Sequence, residues 1–134
     1  MINKILEGEK IPIYGNGLQV RDWLHVEDHV EALYKIVLEG RVGETYNVGG
    51  NNEKTNLEVV YLICDLIDKK SGYPIRGKSS RELIEFVQDR AGHDIRYAID
   101  ASKLQNELGW QPKKTFEGGL SETVNWHLEN LKGK

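Results

Sequence analysis

The sequence contains one cysteine and three prolines in 134 residues, and each scarcity excludes a class of protein. Cys64 alone can form neither an internal disulfide nor a Cys-x-x-Cys metal site, which favours a reducing compartment and predicts a cytoplasmic protein. Three prolines beside 14 glycines exclude a low-complexity or collagen-like chain. No stretch approaches the roughly 20 apolar residues of a membrane span, and the start lacks the apolar stretch of a signal peptide. The net charge of -3 provides no basic surface for nucleic acid.

What is present is a globular composition with a mixed pattern of helices and strands. Hydrophobic residues make up 39% and charged residues 29% of the chain, which predicts one modest domain over residues 1–134. The hydrophobic period changes repeatedly between that of a helix and that of a strand, so the expected class is α/β or mixed α+β. The predicted helices end at Gly8, run from Val26 to Gly40, follow Thr55, cover Ala101–Leu108 and follow Thr115; the predicted strands cover 10–14, 19–24, 44–48, 84–87 and 95–99.

Two glycine-rich segments resemble phosphate-binding loops in spacing only. Gly15-Asn16-Gly17 lacks the third glycine of a dinucleotide fingerprint and lies between two predicted strands, so it predicts a β-hairpin turn. The segment from Gly72 to Ser79 matches the Walker A spacing. A predicted helix leads into it and a strand leads out, which is the reverse of a Walker loop. We interpret 69–80 as a polar surface loop.

Other candidate catalytic residues also have a simpler structural explanation. His25 and His29 are four residues apart, but His25 ends a predicted strand, so the two do not share a helix face for a metal. Cys64 falls on an apolar helix, which indicates a buried, inert thiol. Glu27 and Asp28 lie in the first turn of a helix, where carboxylates complement the helix dipole. No catalytic constellation is predicted.

Four clusters are more polar or aromatic than their surroundings require. Pro12-Ile13-Tyr14 places a flat ring beside a turn, and Arg21 lies on a strand next to Asp22, either as a surface ion pair or as a phosphate-binding guanidinium. Asn56 lies in the first turn of a helix, where amides can hold an anion. The segment 89–94, Asp-Arg-Ala-Gly-His-Asp, combines a cation, a flexible glycine and a histidine.

In this order the clusters resemble the dTDP-glucose 4,6-dehydratase family of extended short-chain dehydrogenases/reductases, in its C-terminal, nucleotide-sugar-binding portion. The resemblance covers nearly the whole chain. The stretches that carry it are Pro12–Gly15, Arg21–His29, Gly43–Gly50, Asn52–Asn56, Asp89–Asp94, Arg96–Asp100, Leu108–Pro112 and Thr123–Leu128.

The resemblance implies that six residues bind a dTDP-sugar substrate. It assigns Pro12 and Tyr14 to the thymine pocket and Arg21 to the diphosphate, with Asn56, Arg90 and His93 on the nucleotide side. An aromatic face suits a pyrimidine, and guanidinium groups suit a diphosphate. Ala91 stands where the family usually has proline, which loosens the loop that carries Arg90 and His93.

The resemblance also implies what the chain lacks. The family's glycine-rich NAD loop, Tyr-x-x-x-Lys pair and Thr-Asp-Glu element belong to an N-terminal Rossmann portion with no counterpart here. We therefore expect a fragment of a larger enzyme that uses NAD. This chain should bind no NAD and carry no catalytic residue. The intact enzyme would oxidise C4 of the glucose, eliminate water across C5–C6 and return the hydride to C6, and the isolated chain is predicted to be inactive.

Two alternative functions remain open, and the sequence also predicts how the chain associates. The chain could belong to another nucleotide-sugar epimerase or dehydratase, or it could be a non-catalytic binding or assembly module. In the family, the helix that resembles 26–38 and the strand that resembles 44–48 pack against the Rossmann portion. Without that portion, Val30, Leu33 and Val37 should be exposed and should promote self-association into a homo-oligomer.

Overall fold

The computed structural model describes residues 1–72 and 77–131 and confirms the mixed α/β class. No helix in these two ranges is long and apolar enough to cross a membrane. The helices are α1 (Ile2–Glu7), α2 (Val26–Glu39), α3 (Asn56–Ser71), a 3₁₀ helix (Ser80–Leu83), α4 (Ser102–Leu108) and α5 (Phe116–Leu131). The strands are β1 (Ile11–Tyr14), β2 (Val20–Asp22), β3 (Glu53–Thr55), β4 (Ile84–Val87) and β5 (Arg96–Tyr97).

The chain divides into two compact units, and each is assembled from separate segments. Unit 1 comprises Met1–Gln19, Thr55–Ile95 and Leu120–Lys134, and unit 2 comprises Val20–Lys54 and Arg96–Gly119. The single domain expected over residues 1–134 stays a prediction.

Unit 1 is built on a two-stranded parallel sheet and helix α3. Strand β1 pairs with β4 from Ile11 opposite Ile84 to Tyr14 opposite Val87. Burial alternates along β1, so Ile11 and Ile13 enter the core while Pro12 and Tyr14 face outward. Helix α3 contributes more buried apolar side chains to this core than any other described element, among them Val60, Ile63 and Ile67.

The predicted hairpin between β1 and β2 is wrong. The turn itself forms, because Gly15 and Gly17 adopt φ of 59° and 73° and the Gly17 amide donates to the Tyr14 carbonyl at 3.2 Å. The strands on either side then enter different sheets, β1 beside β4 and β2 between β3 and β5. Turn chemistry specifies a local reversal, but distant strands decide which backbone each strand pairs with.

Helix α3 begins where its sequence predicts and ends later than predicted. Thr55 and Glu58 form the reciprocal capping box, and Gly72 ends the helix in the left-handed conformation with φ of 69°. The loop predicted over 69–80 is shorter than expected, because α3 continues to Ser71 and the 3₁₀ helix begins at Ser80. Residues 73–76, the middle of the Walker-like segment, lie outside the described residues.

Unit 2 contains a three-stranded sheet in the order β3-β2-β5, with β2 and β5 parallel. Its core cluster consists of Ala32, Leu104 and Trp110. Helix α2 begins after His25, whose Nδ1 accepts a hydrogen bond from the Glu27 amide. Helix α4 starts at Ser102, one residue later than predicted, and Asp100 accepts a hydrogen bond from the Ser102 amide at 2.9 Å. Thr115 caps α5 as predicted, accepting from the Gly118 amide.

The strand predicted over 44–48 does not form. In the described part of the chain, no strand pairs with this segment. Side-chain hydrogen bonds hold it instead: Lys103 donates to the Thr45 carbonyl at 3.0 Å, and Asn47 donates to the Asp100 carbonyl at 3.3 Å. A strand requires a hydrogen-bonded neighbour as well as strand-forming residues. The alternating sequence therefore forms no strand in the described structure.

The predicted exposure of the α2 stripe is confirmed. Val30 is 59%, Leu33 49% and Val37 80% exposed, although they recur at helical spacing. Only Asp28 and Ala32 of α2 are buried. Asp28 accepts hydrogen bonds from the amides of Lys113 and Lys114 at 3.2 and 3.0 Å, so it anchors α2 rather than complementing a dipole alone.

Candidate functional site

Tyr14 and Arg90 form the centre of a polar and aromatic cluster in unit 1. Strand alternation places Tyr14 on the outward face of β1, on the same face as Pro12. The guanidinium carbon of Arg90 lies 4.6 Å from the centre of the Tyr14 ring, which is the geometry of a cation–π contact. The structure thus brings together Pro12, Tyr14 and Arg90 of the predicted set.

His93 joins this cluster through a tight turn after β4. Its amide donates to the Arg90 carbonyl at 3.2 Å, and Gly92 takes the positive φ of 71° that the turn requires. The turn forms with Ala91 in place of the family's usual proline. The His93 side chain is only 8% exposed; its Nδ1 lies 2.6 Å from Asp89 Oδ1 and its Nε2 lies 3.4 Å from Arg90 Nη2.

Asp89 and Gln19 belong to the same cluster, although sequence reasoning gave neither a role. Asp89 Oδ2 accepts from Gln19 Nε2 at 2.9 Å, and the same amide nitrogen lies 3.3 Å from the Tyr14 carbonyl. The hydrogen bond from His93 is the main cause of a lowered pKa for the Asp89 carboxyl. The signal available in the sequence was the position of Asp89, four residues before His93.

Asn56 is connected to the cluster through Gln19. The Asn56 amide donates to the Gln19 carbonyl at 3.0 Å, the Leu57 amide donates to the Gly17 carbonyl at 2.9 Å, and the Glu58 amide donates to the Thr55 hydroxyl. The first three amides of α3 therefore already have partners within the protein. An anion at this helix end would have to be bound by the Asn56 side chain rather than by these amides.

Arg21 belongs to unit 2, whereas the other five predicted site residues belong to unit 1. Its Nη1 donates to the Val20 carbonyl at 2.7 Å, and its guanidinium carbon lies 6.0 Å from the centre of the Tyr97 ring. The ion pair with Asp22 that the sequence allowed does not form. Asp22 instead accepts from the Gly50 and Asn52 amides at 2.7 and 2.8 Å.

The Gly49-Gly50 pair has a structural explanation in unit 2. A Cβ on Gly49 would lie 2.7 Å from Asp22 Oδ2, and one on Gly50 would lie 2.3 Å from the Trp23 carbonyl oxygen. Both glycines are therefore required by the close approach of their backbone to β2. These contacts give the motif that includes them a structural role in this unit.

Neither metal binding nor thiol chemistry finds support in the described residues. Residues 1–72 and 77–131 contain no group of three His, Cys, Asp or Glu side chains placed to hold a metal. The Cys64 side chain is fully buried, and burial raises the pKa of its thiol to about 12, as expected for an inert cysteine. What the cluster of Tyr14, Arg90 and His93 can do chemically is bind an aromatic or anionic group.

Comparison with known proteins identifies the family. The model of the GDP-mannose 4,6-dehydratase family matches residues 1–123. The chain belongs to this family. Among curated relatives it is 57% identical over 130 residues to the dTDP-glucose 4,6-dehydratase of Escherichia coli and 56% identical over 131 residues to that of Neisseria meningitidis. Each alignment covers 97% of this chain, and 35% and 37% of the respective relative. The chain thus spans about a third of the length of these relatives.

Solved structures of this family share the fold. The dTDP-glucose 4,6-dehydratase of Bacillus anthracis, in complex with NAD, matches with a TM-score of 0.83 and 53% identity over 98% of this chain and 38% of that one. The dTDP-glucose 4,6-dehydratase of Streptomyces venezuelae, also with NAD bound, matches with a TM-score of 0.85 and 36% identity over 96% of this chain and 37% of that one. These findings confirm the resemblance to dTDP-glucose 4,6-dehydratases.

Proposed function

We propose that this chain supplies the nucleotide-sugar-binding surface of a dTDP-glucose 4,6-dehydratase. The observation that carries the proposal is the cluster at the end of β1, where the Arg90 guanidinium lies over the Tyr14 ring and beside His93. Tyr14 and Arg90 are both exposed, so a ligand can reach them. The high identity to dTDP-glucose 4,6-dehydratases supports the same function.

The chemistry of the cluster suits a nucleoside diphosphate. The Tyr14 ring, with Pro12 on the same face of β1, offers a flat apolar surface to a pyrimidine. Arg90 provides hydrogen-bond donors in the fork that matches phosphate oxygens. Asn56 and His93 add polar contacts, and Arg21, in unit 2, is proposed as a further diphosphate ligand.

The intact enzyme is proposed to convert dTDP-glucose to dTDP-4-keto-6-deoxyglucose with bound NAD, which would accept and return the hydride. The one described turn that partly matches a dinucleotide fingerprint does not fit NAD. The Gly15–Gly17 turn is filled by the protein itself, because a Cβ on Gly15 would meet Asp89 at 2.6 Å and one on Gly17 would meet Ile13 at 2.8 Å. A partner Rossmann portion is therefore proposed to bind NAD, and the isolated chain is expected to form no 4-keto-6-deoxy product.

Calorimetric titration of the chain with dTDP tests the binding role. Arg90→Ala should weaken binding by about 1.5–3 kcal/mol, the usual contribution of a charge-assisted hydrogen bond. Arg81→Ala is the matched control, since Arg81 also lies over a tyrosine, 4.5 Å from the Tyr61 ring centre in the same unit. Absence of dTDP binding by the unsubstituted chain, or equal losses in the two variants, would contradict the proposal.

Arg21 requires its own test because it belongs to unit 2. Arg21→Ala should weaken dTDP binding by about 1.5–3 kcal/mol if its guanidinium binds the diphosphate. An affinity equal to that of the unsubstituted chain would remove Arg21 from the site while leaving the Tyr14–Arg90 cluster in place.

A second candidate is the nucleotide-sugar-binding portion of a UDP-sugar enzyme. The fold also matches the UDP-glucose 4-epimerase of Thermotoga maritima, with a TM-score of 0.78 and 28% identity. The nucleotides of the two candidate functions differ in the 5-methyl group of the pyrimidine, so titration with UDP beside dTDP separates the two functions. Tighter binding of UDP would favour the epimerase.

Assembly and location are part of the proposal. The exposed α2 stripe supports association with a second copy or with a Rossmann portion, and we expect a homo-oligomer. The single buried Cys64 is in keeping with a cytoplasmic protein.

A further inference from the structure

We infer that Asp89 is a positioning residue that fixes the Arg90 guanidinium over Tyr14 through His93. The inference rests on the proposed function, because it assigns the orientation of a group proposed to bind the nucleotide. It gives a role to a residue to which neither composition nor the family resemblance had assigned one.

Asp89 accepts three hydrogen bonds within unit 1. Its Oδ1 receives the Arg90 amide at 2.8 Å and the His93 Nδ1 at 2.6 Å, while its Oδ2 receives Gln19 Nε2 at 2.9 Å. Both carboxylate oxygens are thus engaged with partners on two different segments. This arrangement leaves the side chain little freedom to rotate.

The contact with Asp89 determines which nitrogen of His93 faces Arg90. A carboxylate only accepts, so in the neutral ring the proton lies on Nδ1 and Nε2 is the acceptor. Arg90 Nη2, a donor, lies 3.4 Å from Nε2. Asp89 therefore orients His93, and His93 orients the guanidinium that lies over Tyr14.

The turn after β1 holds Asp89 from the other side. Gly15 has a positive φ of 59°, and a Cβ there would lie 2.6 Å from Asp89 Oδ2, so a larger residue would displace the carboxylate. Gln19 is 6% exposed, and its Nε2 lies within hydrogen-bond distance of both Asp89 and the Tyr14 carbonyl. Asp89 and the backbone of Tyr14 consequently share one anchor, which fixes the position of the carboxylate relative to the ring.

Such a chain of contacts matters for binding because a free arginine side chain loses rotational freedom when it meets a ligand. A guanidinium that is already held over Tyr14 loses less on binding a diphosphate. Removal of the Asp89 carboxylate should therefore weaken nucleotide binding without removing any group that touches the nucleotide.

A double-mutant cycle on dTDP affinity tests this relay. Asp89→Asn and His93→Ala should each weaken dTDP binding by about tenfold. The double variant should lose no more affinity than whichever single variant binds dTDP less tightly, because both substitutions break the same connection. Asp94→Asn is the matched control, an exposed aspartate five positions along the same segment, and should bind as the unsubstituted chain does. Losses that multiply in the double variant would overturn the inference.

The nitrogen resonances of the His93 imidazole provide a readout that needs neither ligand nor variant. At a pH where the ring is neutral, the proton should be found on Nδ1 in the unsubstituted chain, and Asp94→Asn should leave it there. A proton on Nε2 would overturn the inference even if Asp89→Asn does not fold. Absence of dTDP binding by the unsubstituted chain would overturn the proposed function together with the role of Asp89 in binding. Binding that Asp89→Asn leaves unchanged would overturn the inference alone.

Discussion

The two units differ in how completely they bury their own apolar residues. In unit 1, α3 and the β1–β4 sheet enclose most of the buried apolar side chains of the described residues. In unit 2, a small cluster around Leu104 and Trp110 is the core, while the apolar stripe of α2 stays exposed. The cluster proposed to bind the nucleotide, apart from Arg21, lies in the unit with the larger core.

The units are alike in the polar contacts that join their segments. Unit 1 uses a buried carboxylate, Asp68, to bind the start of the 3₁₀ helix, and unit 2 uses the buried Asp28 to bind two backbone amides before α5. Each unit also has exposed ion pairs, such as Arg81 with Asp65 in unit 1. Exposed ion pairs contribute little to stability, because water and salt screen them. The two units therefore differ in apolar burial rather than in their polar contacts.

The largest effect is expected in the small core of unit 2. Leu104 is fully buried against Ala32 and Trp110, so Leu104→Ala should lower the free energy of unfolding by about 2–5 kcal/mol. Leu38→Ala is the control, because it removes the same atoms from an exposed position of the same unit and should cost no more than about 0.5 kcal/mol. Urea denaturation measures both. Equal losses would show that the cluster around Leu104 is no core.

A somewhat smaller loss is expected from the buried carboxylate of unit 1. Asp68→Ala would leave the amide and hydroxyl of the fully buried Ser80 without their acceptor, which should cost about 2–3 kcal/mol. Asp65→Ala, on the same helix, removes an exposed ion pair with Arg81 and should cost less than about 1 kcal/mol. The denaturant midpoints of the two variants check this. A larger loss in Asp65→Ala would reverse the contrast drawn between buried and exposed polar contacts.

Self-association should respond to a charge on the α2 stripe. Val37→Glu places a carboxylate on a side chain that is 80% exposed, and it should weaken association by at least tenfold, about 1.4 kcal/mol, while the chain stays folded. Ile95→Glu, at an equally exposed position of unit 1, is the control and should associate like the unsubstituted chain. Light scattering across a concentration series measures the association of each variant. A single 15.3 kDa species of the unsubstituted chain at high concentration would refute the argument.

The smallest expected effect concerns the stability of the protein at acid pH. The hydrogen bond from Arg96 lowers the pKa of the Glu53 carboxyl in the folded protein, so its stabilising contribution is present above the unfolded pKa of about 4 and is lost as pH falls through the folded value. Glu53→Gln should therefore reduce stability slightly at neutral pH and less at acid pH. Glu85→Gln is the exposed control. Denaturant midpoints at neutral and acid pH measure the difference, which should be absent if the pair does not form in solution.

Local features of the structure were predictable from the sequence, because neighbouring residues determine them. The Thr55–Glu58 capping box and the cap at Thr115 each depend on a few consecutive residues, and both helix starts were predicted. The alternation of Ile11 and Ile13 with Pro12 and Tyr14 likewise follows from the period of a strand.

Strand pairing and the supports of the site were decided by tertiary structure. The Gly15–Gly17 turn reads as a hairpin in sequence, yet β1 pairs with a strand some 70 positions further on. The predicted strand over 44–48 found no neighbour in the described residues. Asp89 gained its role only because the fold brings Gln19 and Gly15 against it. Residue type fixes which groups can bind, whereas the contacts that orient them join residues far apart in the chain, and no local pattern records those contacts.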